Sequence, residues 1–333
     1  MKFTILHQKH PALLWLLACL AIPAATDAWG QAAWRPDKPV ELVTASAAGG
    51  SNDRVARLVS KIMQDQKLVP VPVNVLNKPG GNQTLSRTYL NTHPGDPHYF
   101  DIGTPTLISN HILGITPQHF SDFTAIALLI NEYSVFTVRA DSPLRNAKDL
   151  LARLKADPES MSVGVSNLGG TNHLTLSLAV KSAGIDPRKL KVVVFKTNAE
   201  STTALMGGHI QLVSASIPSV IGQIKAGTIR AIAVGDPQRM SGVMAGVPTL
   251  REQGIDVSLS NWRSLIGPKG LSAAHVAFWE DVLARVVASE EWKKELEAQN
   301  WDGRFLRSRE FSKYMESEYT ATKAILTELG MVK

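Results

Sequence analysis

Over Val40–Met63 the hydrophobic pattern changes period, and the change is made at a pair of glycines. Val40-Glu41-Leu42-Val43 reads as a strand. Val55, Leu58, Val59, Ile62 and Met63 then recur at helical spacing and form one apolar face. Between them lies Thr44-Ala45-Ser46-Ala47-Ala48-Gly49-Gly50-Ser51-Asn52-Asp53-Arg54, a strand-to-helix turn. Gly49 and Gly50 let the backbone turn sharply and come close to a ligand. Ser51 or Asn52 supplies the N-cap. Free N–H groups at the positive end of a helix suit an anion such as a carboxylate. Asp53 either supports the helix dipole or orders donors and waters around the ligand. A plain glycine turn with a good cap is the competing reading.

The rhythm continues. Val71, Val73 and Val75 alternate as a strand, and Asn77–Gln83 is a turn into a helix with Leu85, Tyr89 and Leu90 inward. Tyr99–Gly103 is a strand, and Thr104-Pro105-Thr106-Leu107 opens the next helix, with Pro105 suited to a first turn. Strand–helix alternation favours a parallel α/β sheet, whose ligands bind beyond the carboxyl ends of the strands. The turns near Ser46, Gly81 and Thr104 should share one rim. Two apolar, β-prone runs follow, Phe123–Ile130 and Ser134–Val138. A first crossing is expected near Asp141-Ser142-Pro143. A second α/β series then runs to Gly235, with no visible sequence repeat of the first. Near Asn261–Pro268 the chain should return to the first half, and the remainder reads as helical. Two crossings and two similar halves make a clamshell.

Ser166-Asn167-Leu168-Gly169-Gly170-Thr171-Asn172-His173 is the second half's counterpart of the opening turn, with Thr171 as candidate cap. Two facing turns of this kind can hold one carboxylate from both sides. His173 reads as a structural histidine bonded to backbone. Gly164–Gly169 approaches a nucleophile elbow, but the second glycine falls one residue late. A secreted hydrolase is therefore a distant alternative, with Ser166 as nucleophile and His173 as its base. No zinc spacing, P-loop or dinucleotide fingerprint occurs, so no metal and no cofactor is expected. Lys196 either points into the cleft or is solvated. Arg263 either pairs with a second carboxylate or braces the hinge, and Trp262 reads as hinge packing.

Lys2 and Lys9 precede the apolar run Ala12–Ile22, and small residues follow to Ala28. Residues 1–28 read as a secretory signal peptide, too short to span a membrane comfortably. A lipoprotein signal acylated at Cys19 is the lesser alternative, because Leu17 is large for its slot. Cys19 is the one cysteine in 333 residues, so the exported chain must be held by its core, most naturally as two lobes. The net charge of +6 is spread among acids, with no basic run interleaved with aromatics. This argues against a nucleic-acid partner and favours attraction of anions.

Further landmarks are Arg35–Val40, Asn77-Lys78-Pro79-Gly80-Gly81-Asn82, Asp122-Phe123-Thr124, Gly207-Gly208-His209, Gly227–Val234, Val247–Gly254 and Asn261-Trp262-Arg263. With the Ala48–Asp53 turn, they resemble the extracytoplasmic receptors of tripartite tricarboxylate transporters, the Bug family, across essentially all of the chain after the leader. The resemblance implies a type II-like, two-lobe periplasmic-binding-protein fold with two crossover segments. Lobe 1 would be 35–139 with 258–333, and lobe 2 would be 140–257. It implies a non-enzymatic, monomeric periplasmic receptor that passes a small mono-, di- or tricarboxylate to membrane permease subunits. A sensor partner of a membrane histidine kinase is the alternative. Carried over by position, the first pincer is Ser46, Ala47, Ala48, Gly49, Gly50, Ser51, Asn52 and Asp53. The second is Asn167–Thr171, with Gly169 and Gly170 at its centre, and Ser166, Asn82, Thr104, Thr106, Lys196 and Ser214 belong to the remaining pocket. The chain departs from the family's second pincer: Asn167 replaces a glycine and Gly170 a serine. Thr171 either supplies the missing hydroxyl or that bond is lost.

Overall fold

The computed structural model describes residues 1–4 and 34–332, and the fold is that of the unit beginning at Trp34. The leader reading and its Cys19 alternative lie outside the described residues. In chain order the elements are β1 (Val40–Thr44), α1 (Ser51–Asp65), β2 (Val73–Asn77), α2 (Thr84–Leu90), β3 (Tyr99–Gly103), α3 (Thr106–Ile112), β4 (Phe123–Asn131) and β5 (Ser134–Arg139). Then come α4 (Ala147–Ala156), β6 (Ser162–Val165), α5 (Thr171–Ser182), β7 (Lys191–Val194), α6 (Asn198–Met206), β8 (Leu212–Ser216), α7 (Ile221–Lys225) and β9 (Ile229–Val234). The chain ends with β10 (Arg263–Pro268), α8 (Ala273–Ala288), α9 (Glu290–Gln299), β11 (Asp302–Arg307) and α10 (Ser308–Glu328).

Among the described residues the strands form two sheets, ordered β11-β4-β10-β3-β1-β2 and β7-β6-β8-β5-β9. Each has a parallel trio, β3-β1-β2 and β7-β6-β8. The expectation of parallel sheets holds only for these trios. β10 runs antiparallel to β3 and β4, and β5 runs antiparallel to β8 and β9. β5 and β10 are the strands that arrive from the other sheet, so they enter from the opposite end.

The first passage between sheets is Glu132–Tyr133, ahead of the Asp141–Pro143 break, because β5 already belongs to the second sheet. The break instead separates β5 from α4. The return passage reaches β10 beside the first: the Asn261 N–H donates to the Glu132 carbonyl at 2.8 Å. The closing segment is not all helical. β11, interrupted by a bulge, completes the first sheet against β4.

Helices cover both faces of each sheet. On α1, Val55, Val59 and Ile62 are fully buried against β-strand residues and against Trp279, Leu283 and Val286 of α8. Each such side chain contributes about 1.5–3 kcal/mol of burial, enough to fix where the helix begins. The opposite face packs Leu90, Leu107, Trp262, Phe311 and Met315. Trp262, expected as hinge packing, lies within this cluster, edge-on to Phe311. Leu85, expected inward, is exposed, and α2 buries Ser86, Arg87 and Leu90 instead.

Candidate functional site

The opening turn folds around its own carboxylate. Gly49 has φ +80, and Gly50 is the N-cap of α1 at φ −71, ψ 166. Ser51 and Asn52 are thus the first helical residues and neither is the cap. A Cβ on Gly50 would lie 2.9 Å from the Ser46 Cβ and 3.1 Å from the Ala47 carbonyl oxygen. Asp53, buried, accepts from the Gly49 N–H at 2.8 Å, Asn77 Nδ2 at 2.7 Å and Arg57 Nε at 2.9 Å. Burial alone would raise its pKa, but these donors outweigh it and hold the carboxyl below its usual range. The Asp53 N–H is itself taken by Ser46 Oγ at 3.0 Å. Among the described residues no acceptor meets the amides of Ser51 and Asn52, which leaves two donors at the positive end of α1.

The second turn has the same geometry. Gly169 has φ +70, and Gly170, not Thr171, is the N-cap of α5, at φ −78, ψ 164. The Gly169 N–H donates to Nδ1 of His173 at 3.1 Å, as Gly49 does to Asp53. Aligned on the glycines, Ser46-Ala47-Ala48-Gly49-Gly50-Ser51-Asn52-Asp53 matches Ser166-Asn167-Leu168-Gly169-Gly170-Thr171-Asn172-His173. Serine, both glycines, the hydroxyl residue and asparagine recur in register. This short repeat is legible in the sequence. Burial pushes the His173 pKa down to about 4, so the ring is neutral. Since Nδ1 accepts, its proton sits on Nε2. Ser166 Oγ accepts from Asn167 Nδ2 at 3.2 Å, and among the described residues no bond joins Ser166 to His173. The hydrolase reading therefore lacks its base.

Both helix starts are tied to the first passage between sheets. Ser51 Oγ donates to the Glu132 carboxylate at 3.2 Å, and Ser134 Oγ donates to Asn172 Oδ1 at 2.8 Å. Glu132 and Ser134 are two residues apart, a span of at most about 7 Å. Glu132 is fully buried and also accepts from Ser216 Oγ at 2.6 Å, Asn261 Nδ2 at 2.9 Å and Trp301 Nε1 at 3.1 Å. Its ion pair with Arg263 fixes the role of that arginine as a brace. Burial lowers the Arg263 pKa and Glu132 opposes that shift. Glu132 escaped the sequence reading, although an acid directly after the apolar run of β4 was its signal.

The rim turns of the first sheet close on the second turn. Asn82, at φ +51, donates through Nδ2 to the Leu168 carbonyl at 3.1 Å and to Asn110 Oδ1 at 2.6 Å. Thr104 and Thr106 are buried with their hydroxyls 2.8 Å apart, and a Cβ on Gly170 would lie 3.7 Å from Thr106 Cγ2. Two expected residues stand apart. Lys196 is exposed, and among the described residues no side-chain bond joins it to either turn. Ser214 is fully buried, and its hydroxyl donates to the Asn172 carbonyl at 2.7 Å, which props the start of α5 from beneath. Among the described residues no group of three or more His, Cys, Asp or Glu could hold a metal ion. No described helix is long and apolar enough to cross a membrane.

Two three-layer halves joined by adjacent passages, with matched turns at the strand ends, define the architecture of a two-lobed solute-binding protein. The family model described as tripartite tricarboxylate transporter family receptor matches residues 55–331, and the chain belongs to that family, one of receptors and not of enzymes. A Cupriavidus necator relative, described as the UPF0065 protein in the gbd 5'region, is 27% identical over 311 residues and covers 93% of each chain. The solved TctC solute binding protein from Polaromonas, without ligand, is 26% identical with TM-score 0.66, over 88% of this chain and 99% of that one. The R. palustris protein solved with adipate is 23% identical with TM-score 0.82, over 89% of this chain and 99% of its own.

Proposed function

We propose that this receptor captures a small organic carboxylate between its two sheets and delivers it to the permease subunits of a tripartite tricarboxylate transporter. The observation that carries the reading is the pair of matched glycine turns, each leaving helix-start amides free and each bonded to residues 132–134. A carboxylate set between them would take donors from Ser51 and Asn52 on one side and from Thr171 and Asn172 on the other. Gly49, Gly50, Gly169 and Gly170 allow the close approach, and Ser46, Asp53 and Asn167 hold the turns in shape. Asn82, Thr104 and Thr106 form the adjoining wall. Ala47, Ala48 and Ser166 complete the mouth, while Lys196 and Ser214 act at longer range or through α5.

The lobes divide at the passages Glu132–Tyr133 and near Asn261 and move as two bodies. The carboxylate bridges both and selects the closed arrangement by binding it better. The protein works as a monomer in the periplasm after loss of residues 1–28, and the permease reads the closed shape. The ligand bound to the R. palustris neighbour supports a carboxylate as the cargo class.

A thermal-shift screen of mono-, di- and tricarboxylates tests the reading. A ligand at roughly a hundred times its Kd should add about 2.7 kcal/mol of stability and raise Tm. No shift with any acid, together with shifts from uncharged solutes, overturns it.

A further inference from the structure

Four consecutive residues, Gly80, Gly81, Asn82 and Gln83, have positive φ, at +121, +56, +51 and +73. Glycine adopts this readily, whereas Asn82 and Gln83 are held in a conformation that L residues rarely take. Such outliers persist only where the surroundings over-determine them, and they gather at ligand clamps. Here the loop sets Asn82 against Leu168 of the second turn and Gln83 against the buried threonines.

The polarity of those contacts is fixed from behind. Arg87 is fully buried, and its Nη2 donates to Thr106 Oγ1 at 2.8 Å and to Thr104 Oγ1 at 3.3 Å. A guanidinium only donates, so both threonine oxygens must serve as acceptors there. Their hydroxyl protons then need an acceptor, and Gln83 Oε1 lies 2.8 Å from Thr104 Oγ1 and 3.0 Å from Thr106 Oγ1. The two hydroxyls lie 2.8 Å apart, so one proton can pass between them, and the other goes to Gln83, which sets the amide oxygen toward the threonines. Its Nε2 is turned away from the network and has no acceptor among the described residues. It is open to solvent at this half-buried position.

The geometry points to Gln83 as a specificity-determining residue: its amide donates to a second carboxylate of the solute, and Arg87, Thr104 and Thr106 act as positioning residues that keep the amide oriented. This rests on the carboxylate-receptor reading and narrows it to acids with two carboxyl groups. The buried charge suits an anion at that end. Burial lowers the Arg87 pKa only to about 10, so it is cationic at neutral pH. Burial raises that of its neighbour Asp101, and the Arg87 charge opposes that shift.

Calorimetry with adipate and with hexanoate, its one-carboxyl analogue of equal length, tests this on the full exported chain. Wild type should bind adipate at least tenfold more tightly than hexanoate. Gln83→Leu, at a half-buried surface position, should lose roughly tenfold or more for adipate with hexanoate unchanged, the scale of a hydrogen bond to a charged group. Gln83→Glu, which presents an anion instead of a donor, should lose more. Thr106→Val should shrink the adipate-to-hexanoate ratio by less than Gln83→Leu, a change that a purely structural threonine would not produce. If wild type binds both acids equally, or if Gln83→Leu weakens both alike, the Gln83 role is overturned while the receptor reading stands. If neither these acids nor the wider carboxylate panel binds, both fall together.

Discussion

The two glycine turns share a backbone and differ in the group that closes them. In the first, the Gly49 N–H is held by Asp53, an anion satisfied by Asn77 and Arg57. In the second, the Gly169 N–H is held by His173, a neutral ring within a helix buried along most of its length. The turn requires an acceptor four residues after its first glycine, and the surroundings decide which kind. Where a cation and an amide donor are within reach, a carboxylate can be afforded. Where burial is nearly complete and no cation is at hand, only an uncharged acceptor avoids a large desolvation cost. The turns therefore present different fields to a solute. The first combines its helix end with a nearby negative charge, and the second does not.

The largest expected effect removes the buried acid that ties the first turn to the passage. Glu132→Ala leaves Arg263 buried without its partner and should cost about 3–5 kcal/mol in chemical denaturation. A loss under about 1 kcal/mol would show that the buried Glu132–Arg263 pair does not anchor this passage. Next is Gly50→Leu, whose Cβ meets Ser46 and the Ala47 carbonyl. It should weaken carboxylate binding by roughly a hundredfold or more while the far-ultraviolet spectrum is kept, the scale of about 2.7 kcal/mol. Unchanged affinity in calorimetry would remove the first turn from the site.

The smallest effect separates the turns by pH. The folded pKa of His173 is depressed from 6.5 to about 4, so the unfolded chain binds more protons in that window. Stability from His173 is complete above about pH 6.5 and is lost as pH falls through about 4. Asp53, also depressed, gives way only below the ordinary carboxylate range. Amide exchange should therefore rise in the second turn before the first on acidification. His173→Gln, which keeps an acceptor but does not titrate, should flatten the pH 4–6.5 slope. An unaltered slope would mean that another group carries it.

Much of the candidate site was legible because its elements are local. A glycine pair between a strand period and a helix period needs no tertiary partner to be recognised, and both turns were read in place. The rim shared by Ser46, Gly81 and Thr104 followed from strand–helix alternation alone. The caps were misassigned to Ser51, Asn52 and Thr171, because a glycine in extended backbone can fill that position while the hydroxyl beside it is used elsewhere. Ser51 reaches Glu132, a partner 81 residues away. Such a bond leaves no trace in a local pattern. Arg87 was missed for the same reason: on α2 it looks like one more polar residue of a surface helix.

The sequence by itself determined the alternation of strands and helices, the two glycine turns and the family they belong to, since periodicity and backbone freedom are properties of neighbouring residues. The tertiary structure decided where the chain passes between sheets and which acid anchors that passage. It also decided which buried arginine orients the wall beside the second turn. These depend on side chains brought together from distant positions, where burial makes an unpaired charge too costly to keep.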